Sequence, residues 1–381
     1  MAETREVAKR TSIFKNVRNK IKSNKQVRLE GGYNCIPWKN LPGLSSVVPG
    51  IQRSKYYMVT AASKAGKTQL TDYLFIYEPY EFIKKYKPKN INLKIHYFSL
   101  EMSKERKIMS ILSYKIFRDK GIIIAPDDLL SVFEHKILDD KIEAIIDEYH
   151  DYFEEFEDVV TIYDNVRNPY GIYKTIEDYA ETHGKWTEKE IDWLNEDKTI
   201  TRKRVKDEYI PDDPNEFVIV IVDNYNVMMP EKNQTVFDAI HKFSSNYALH
   251  MRDKFKYAVV AVQQQAMTGE QQQYTFSGNS IIDKLKPTPD GLGDCKLSGR
   301  DVNLMISLFS PSRFKIESYN GYNVSRLGDH YRELIVLFNR DGSGFCSDNL
   351  LFHGGVNYFG ELPAKPTEEY YRNIEEKFKL R

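Results

Sequence analysis

A short segment between a predicted strand and a predicted helix carries the residue types that hold a triphosphate. Its sequence is Ala61-Ala62-Ser63-Lys64-Ala65-Gly66-Lys67-Thr68. Triphosphate binding needs backbone N–H groups in front of a helix N-terminus, a lysine cation and a hydroxyl for Mg²⁺. Gly66, Lys67 and Thr68 supply the last three positions of the pattern G-x-x-x-x-G-K-[ST], and Ala61 stands where the first glycine is usual. We predict that Ala62–Thr68 binds ATP, since alanine is tolerable where φ stays negative.

Two acidic residues directly follow apolar runs. Asp223 comes after Phe217–Val222, the usual setting of the acid that holds Mg²⁺ together with the hydroxyl of the phosphate loop. Glu101 comes after Ile95–Leu100, and a carboxylate at that edge of a parallel sheet can orient and deprotonate an attacking water. Either residue could instead cap the end of its strand, which is the commoner role of an isolated strand-end Glu. Beside the phosphate loop, we predict a Mg²⁺ site at Thr68 and Asp223.

The elements that position these residues alternate between short apolar runs and helical stretches. Most runs are apolar throughout, as in strands buried on both faces of a parallel sheet. Helical stretches lie between them, for example Ser103–Asp119 and Asp127–Phe156. This order predicts an α/β fold, a three-layer sandwich with a mostly parallel central sheet. The predicted strands are Tyr56–Thr60, Ile95–Leu100, Phe217–Val222, Ala258–Val262, Leu304–Leu308 and Leu334–Phe338.

The first part of the chain, residues 1–47, forms a predicted N-terminal arm that is basic over its first thirty residues. Ile13, Phe14, Val17 and Ile21 follow helical spacing behind Ser12 as an N-cap, which predicts a short amphipathic helix. Such a helix could link the arm to a neighbouring subunit, and a solvated basic arm is the alternative.

The predicted ATPase domain spans residues 48–362. Residues 184–216 are charge-rich without a buried-strand pattern and are predicted to be a surface insertion. Residues 266–300 are polar, Gln-rich and Gly/Pro-rich and predict mobile loops. Residues 363–381 form a predicted C-terminal tail that ends in a short helix.

The composition excludes several other classes of protein. Fifty-five Lys and Arg balance fifty-five Asp and Glu, so any surface for nucleic acid must be a local cluster of cations. The three cysteines are odd in number and lack CxxC spacing, which favours a reducing, cytoplasmic setting. The histidines show no zinc-site spacing, and no G-x-S-x-G motif is present. We expect no signal peptide and no membrane span, because no apolar run approaches ~20 residues.

Four segments, in the expected order, resemble the motor domain of DnaB-type replicative helicases. They read AASKAGKT, FSLEMS, IVDNYNVM and VVAVQQQ. The resemblance implies a RecA-like fold that uses ATP and Mg²⁺, with Glu101 as the base that activates water. It also implies that Gln264 senses the γ-phosphate and connects to DNA-binding loops, a role for which an amide is suited because it both donates and accepts. Gln263 and Gln265 are the alternatives in register, and three solvated glutamines opening a loop are the other interpretation.

Two weaker segments extend the resemblance toward the C-terminus. DGLGDCKLSGRDVNLMISLF is similar to the stretch that enters the next strand with an acidic residue, here Asp301. IVLFNRDGSG resembles the segment that carries the arginine finger, which implies that Arg340 reaches the nucleotide of the next subunit. The family usually has a Lys two positions earlier, where this chain has Phe338. A surface salt bridge with Asp341 or Asp348 is the alternative for Arg340.

The resemblance implies an ATP-dependent ring translocase on single-stranded DNA, a replicative DNA helicase that forms a hexameric ring. A RecA-like recombinase or recombination-mediator ATPase and a non-motor ATP-binding switch are the alternatives. We expect DNA contacts from Lys284, Lys286 and Lys296, on the loops after the predicted sensor strand. Primase and a helicase loader are the implied protein partners. We expect the N-terminal collar domain of the family to be lacking, and the enrichment in Lys, Tyr, Ile and Asn suits a bacteriophage version acting in the host cytoplasm.

Overall fold

The computed structural model describes residues 13–135, 137–194, 200–266, 282–342 and 346–378. Within these ranges, nine strands form one sheet in the order β13-β12-β11-β8-β1-β7-β6-β2-β3, and two short hairpins, β4-β5 and β9-β10, stand apart from it. The strands are β1 (Tyr56–Ala61), β2 (Asn92–Ser99), β3 (Val160–Tyr163), β4 (Gly184–Leu194), β5 (Ile200–Pro211), β6 (Glu216–Asp223), β7 (Ala258–Gln264), β8 (Leu304–Phe309), β9 (Ser318–Tyr319), β10 (Tyr322–Asn323), β11 (Tyr331–Asn339), β12 (Cys346–His353) and β13 (Tyr358–Glu361).

The six strands from β8 to β3 run parallel to one another, whereas β11, β12 and β13 add antiparallel neighbours at one side. The carboxyl ends of parallel strands meet at one edge of a sheet, which is where ligands bind in such folds. Ala61, Ser99, Asp223 and Gln264, the last residues of β1, β2, β6 and β7, therefore share this edge.

Helices cover both faces of the sheet. Alternate residues of β1 enter different cores: Tyr57 and Val59 pack in one, and Tyr56 and Met58 in the other. The predicted three-layer α/β sandwich with a mostly parallel sheet is confirmed. The helices are α1 (Ile13–Leu29), α2 (Pro42–Val47), α3 (Lys67–Asp72), α4 (Glu78–Tyr86), α5 (Lys104–Lys120), α6 (Pro126–Leu129), α7 (Asp140–Asp147), α8 (His150–Val159), α9 (Pro169–Thr182), α10 (Val236–Lys242), α11 (Leu249–Asp253), α12 (Val324–Leu327) and α13 (Glu368–Phe378). π-helical turns at Tyr73–Tyr77 and Phe243–Ala248 join α3 to α4 and α10 to α11.

One predicted helix matches the structure and one does not. α5 begins after Ser103, whose hydroxyl accepts a hydrogen bond from the Arg106 amide, so this prediction agrees within a residue. The predicted helix Asp127–Phe156 is wrong as a single element, because the chain forms α6, α7 and α8 there. Ser131 has a φ of 51°, in the left-handed region, which ends the first helical turn. Asp139 then accepts a hydrogen bond from the Lys141 amide and caps a new helix.

The charged insertion is a two-stranded antiparallel hairpin formed by β4 and β5. Opposite charges face each other across it, as in the pair Lys189–Asp207 at 2.5 Å, which lets a charge-rich sequence form strands at the surface. At its base, Trp186 packs on Phe255 with ring centroids 5.7 Å apart. The hairpin is thereby attached to the domain beside α11.

The body of the domain extends beyond residues 48–362 at both ends. Trp38, Leu41 and Leu44 are fully buried in the core that covers one face of the sheet. In the predicted tail, α13 buries Tyr371 and Ile374 against the strands at the antiparallel side. The described helices include none with the length and apolar character of a membrane span.

Candidate active site

The loop between β1 and α3 has the backbone form of a phosphate cradle. Lys64 and Gly66 have φ values of 59° and 106°, and the second is a conformation that favours glycine. Two arginines hold the outside of the loop: the fully buried Arg332 donates from Nε to the Ala65 carbonyl at 2.8 Å, and Arg313 donates to the Ser63 carbonyl at 2.5 Å. Sequence reasoning missed both arginines, which lie more than two hundred residues away along the chain.

The predicted Mg²⁺ residues lie side by side. The Thr68 hydroxyl, in the first turn of α3, is 3.3 Å from Oδ1 of Asp223 at the end of β6. A hydroxyl and a carboxylate at the head of the phosphate loop suit Mg²⁺, which takes few protein oxygens and completes its shell with water and phosphate. The two residues therefore fit this ion.

A buried polar network stands behind Asp223. The Tyr97 hydroxyl donates to Asp223 Oδ2 at 2.5 Å, and Lys107 Nζ donates to the Tyr97 oxygen at 2.8 Å. Lys107 Nζ also contacts both carboxylate oxygens of Asp72, at 3.0 and 2.9 Å. Burial raises the pKa of Asp72 to about 6, against the opposing effect of Lys107. Burial, with the nearby carboxylates, raises the pKa of Tyr97 well above its usual value, so its hydroxyl keeps its proton.

Sequence reasoning missed this network, although it left a signal. On α5, Lys107 shares the buried side with Ser110, Ile111 and Tyr114, which is the i, i+3, i+4, i+7 spacing of a helix face directed to a core. A lysine on such a face needs a buried partner. The sequence alone does not identify that partner as Asp72.

The predicted base lies at the same edge. Glu101 is exposed, and its Oε1 accepts a hydrogen bond from Asn224 Nδ2 at 2.9 Å. The Leu100 amide donates to the Asp223 carbonyl at 2.6 Å, so the Glu101 segment is attached to the end of β6. The structure thus brings Glu101 next to the Thr68–Asp223 pair.

The three glutamines separate by their position on β7. Gln264 lines the cleft in front of the phosphate loop. Gln263 is fully buried and donates to the carbonyls of Gly293 and Cys295. Gln265 is also buried and donates to Thr60 Oγ1 at 3.1 Å. Gln264 is therefore the glutamine placed to meet a nucleotide, and its neighbours hold the surrounding loops.

One cleft collects most of the predicted site residues. Its volume is about 500 Å³, and a turn between β12 and β13 closes one side of it through Gly354 and Gly355. Arg106, which pairs with Asp127 at 2.5 Å, forms another part of the wall. The predicted site residues that line the cleft are Ser63, Lys64, Gly66, Lys67, Thr68, Glu101 and Gln264.

Arg340 does not belong to this cleft. It follows β11, which runs antiparallel to β8, and Asn339 pairs with Leu304 at the start of β8. Arg340 is therefore at the opposite edge of the sheet, about 20 Å from the phosphate loop for a six-residue strand. Its guanidinium is exposed and donates to the backbone carbonyls of Val302 and Arg300. Asp341 pairs with Lys55.

The three candidate DNA-binding lysines lie in different surroundings. Lys284 and Lys296 are exposed, each in a 3₁₀ turn. Lys286 is only 26% exposed and lies 3.6 Å from Asp283, with its ammonium over the Tyr319 ring. Residues 267–281 of the predicted loops lie outside the described residues.

Comparisons with solved structures place this fold. A solved helicase ATPase domain matches over 92% of this chain and 99% of that chain, at 16% identity and a TM-score of 0.63. A DnaB-like replicative helicase, described with its interactions with primase, matches over 92% of this chain and 68% of that chain, at 16% identity and a TM-score of 0.62. No family model and no curated protein matches the sequence. The chain has the RecA-like fold of DnaB-type motor domains.

Proposed function

We propose that this protein is an ATP-driven ring translocase on single-stranded DNA that acts as a replicative DNA helicase. The observation that carries the proposal is the cleft at the carboxyl edge of the sheet. There the phosphate loop, the Thr68–Asp223 pair, Glu101 and Gln264 meet on four neighbouring elements. The likeness of the fold to DnaB-type motor domains supports the same function.

The cleft has the groups that phosphoryl transfer needs. Ala62–Thr68 would hold the triphosphate, with the Lys67 cation on the β- and γ-phosphates. Mg²⁺ held at Thr68 and Asp223 would neutralise charge that develops on the phosphate oxygens. Glu101 would accept a proton from the attacking water while its oxygen bonds to the γ-phosphorus and the bond to the β-phosphate oxygen breaks. Asn224 orients the Glu101 carboxylate for this step.

The opposite position of Arg340 supports a site completed between subunits. A residue at the far edge of the sheet cannot reach the phosphate loop of its own chain, but it can face the loop of a neighbour in a ring. Heterologous interfaces of this kind generate closed rings when the rotation closes. In this arrangement Arg340 exchanges its backbone carbonyl contacts for the γ-phosphate of the next subunit.

α1 supports assembly in the same way. No residue of this described helix is buried, and Ile13, Phe14 and Ile21 are 82%, 74% and 64% exposed. A groove of about 690 Å³ lies on the domain surface between α5 and the edge strand β3, with Glu105 and Glu157 at its rim. We propose that the apolar side of α1 occupies this groove on a neighbouring subunit, with its basic residues beside the acidic rim.

A hydrogen-bonded path offers a physical link between nucleotide and DNA. The Gln264 amide donates to Asn226 Oδ1 at 2.8 Å, and Asn226 Nδ2 donates to Asp294 at 2.5 Å. The Gly293 amide donates back to the Gln264 carbonyl at 2.8 Å. A shift of Gln264 toward a γ-phosphate would therefore reach the loop that carries Lys296, our candidate for DNA contact. Primase or a helicase loader is the protein partner we propose, as one structural neighbour is described with primase.

ATP hydrolysis with and without single-stranded DNA, measured beside the mass of the assembly in solution, tests the proposal. We expect a hexamer whose ATPase rate rises with single-stranded DNA and which unwinds duplexes in one direction. Lys67→Ala should lower hydrolysis by about 10²–10³ or more, since it removes a cation from the developing charge. Lys89→Ala, an exposed change outside the cleft, is the control and should retain full activity.

Three results would contradict the proposal in different ways. Wild-type turnover in Lys67→Ala would remove the phosphate-loop assignment. Filaments on DNA in place of closed rings would indicate a recombinase. Slow turnover that ignores DNA would indicate a non-motor ATP-binding switch.

A further inference from the structure

The lysine buried behind the metal site is unusual for its position. Lys107 has no exposed surface and its partner Asp72 is 1% exposed. An apolar pair of similar volume would fill such a place at equal or better stability, because burying two charges costs about as much as their attraction returns. Stability therefore does not account for this pair, and the third contact of the ammonium becomes the informative one.

That third contact leads to Asp223. The ammonium has three N–H donors and no acceptor, and its contacts are the two Asp72 oxygens and the Tyr97 hydroxyl. The Tyr97 hydroxyl must then use its own proton as a donor, and Asp223 Oδ2 is 2.5 Å away. Hydrogen bonds in such a chain polarise one another, so the cation makes Tyr97 a stronger donor.

The consequence is a carboxylate with a fixed orientation. With Oδ2 held by Tyr97, Oδ1 is the oxygen that lies 3.3 Å from Thr68. We propose that Tyr97 and Lys107 are positioning residues that hold the Asp223 carboxylate ready for Mg²⁺, with Asp72 as the anchor of Lys107. This inference rests on the proposed role of Asp223 in metal binding.

The same lysine also connects the two acids of the site. Lys107 is in the first turns of α5, which begins directly after the Glu101 segment, and Tyr97 is on β2, which precedes that segment. Asp72 closes the first part of the helix that follows the phosphate loop. The network therefore fixes α3, β2, α5 and the end of β6 relative to one another around the cleft.

Binding of Mn²⁺ in the presence of saturating ADP, measured by electron paramagnetic resonance, tests the inference without turnover. Tyr97→Phe removes one hydroxyl and keeps the ring. We expect the dissociation constant of Mn²⁺ to rise about three- to tenfold, the usual effect of losing a hydrogen bond to a charged group. The affinity for ADP without metal should stay within about twofold, because no contact of the phosphate loop is removed.

Tyr80→Phe is the matched control. Tyr80 is 1% exposed, and its hydroxyl has no hydrogen-bond partner among the described residues. We expect wild-type affinity for Mn²⁺ in this variant. Equal dissociation constants for Mn²⁺ in Tyr97→Phe and Tyr80→Phe would overturn the inference.

A double variant tests Lys107 while avoiding an unpaired buried charge. Asp72→Leu with Lys107→Met replaces the ion pair by an apolar pair, and circular dichroism with thermal unfolding establishes that it folds. We expect weaker Mn²⁺ binding, because Tyr97 loses the ammonium that holds it. Wild-type affinity in the folded double variant would overturn the role of Lys107.

Asp223→Asn separates this inference from the proposed function. Loss of Mn²⁺ binding in Asp223→Asn together with wild-type binding in Tyr97→Phe would overturn the positioning role alone. Wild-type Mn²⁺ binding in Asp223→Asn would overturn the metal assignment itself, and the positioning role with it.

Discussion

The Glu101 carboxylate is the residue on which hydrolysis depends most in this account. An amide donor, Asn224 Nδ2, holds one of its oxygens at 2.9 Å and leaves the other to accept a proton. Its exposure to the cleft lets water reach it. The general base of this site is thus oriented by a neutral group, which does not compete for the proton.

Glu101→Gln should bind ATP and retain it. The substitution keeps the size of the side chain and its place beside Asn224, but removes the base, so the hydrolysis rate should fall by about 10²–10⁴. Single-turnover hydrolysis of radiolabelled ATP and the retention of bound nucleotide measure the two effects. Glu143→Gln, an exposed change in the first turn of α7, should leave both unchanged. Normal hydrolysis in Glu101→Gln would assign the activation of water to Asp223 or to a residue of the insertion.

The residues that can be predicted from the sequence are those that end apolar strands. Asp223, Glu101 and Gln264 each occupy such a place, and the parallel sheet brings them together. The network of Asp72, Tyr97 and Lys107 cannot be predicted, because its members meet only when α5 packs against α3 and β2. A lysine within a helix sequence is equally compatible with a solvated side, so its burial is information that only packing supplies.

Elements follow the same division. The six predicted strands all exist, because their apolar runs need burial on both faces. The sheet strands β3, β12 and β13 escape prediction, since they lie toward the sides of the sheet and have mixed sequences that lack this pattern. The break of the helix between residues 126 and 159 escapes prediction because the apolar periodicity continues across Ser131 and Asp139, where the backbone leaves the helix.

The loop elements after β7 provide the prediction for DNA. Lys284→Ala, Lys286→Ala and Lys296→Ala combined should weaken binding of single-stranded DNA and reduce its dependence on salt. Three lost phosphate contacts lower the slope of log affinity against log salt by about two on a single strand. Lys286 has a small exposed fraction and should contribute least.

Fluorescence anisotropy across a range of salt concentrations measures this slope. Lys84→Ala, Lys85→Ala and Lys89→Ala combined make the control, because they remove the same charge ahead of β2, at the opposite edge of the sheet. An unchanged affinity and slope in the loop variant would move the DNA site to the basic N-terminal arm.

The molecule as a whole is larger than the predicted ATPase domain. Residues 36–51 and α13 pack into its cores, so the domain limits predicted at 48 and 362 fall inside the folded body. Proline- and glycine-rich sequence around residues 37–50 indicates an irregular segment, and it is irregular, but Trp38 and its neighbours are buried all the same. Composition identifies turns better than it identifies which turns are covered.

The whole molecule also determines what Arg340 can do. The phosphate loop and Arg340 lie at opposite edges of one sheet, so a single subunit holds two incomplete halves of a site. Lys67 belongs to one half and Arg340 to the other. An assembly in which each subunit completes its neighbour follows from this geometry and is the central claim of the proposed function.

Mixing two inactive variants tests that claim most directly. Arg340→Ala and Lys67→Ala rings should each lose ATPase activity stimulated by single-stranded DNA, the first by about 10³–10⁵ if Arg340 is a finger. In rings mixed in equal amounts, roughly a quarter of the interfaces would pair an intact Lys67 with an intact Arg340. We predict that mixing restores part of the DNA-stimulated ATPase. No recovery from rings shown by native mass spectrometry to be mixed would contradict a site completed between subunits.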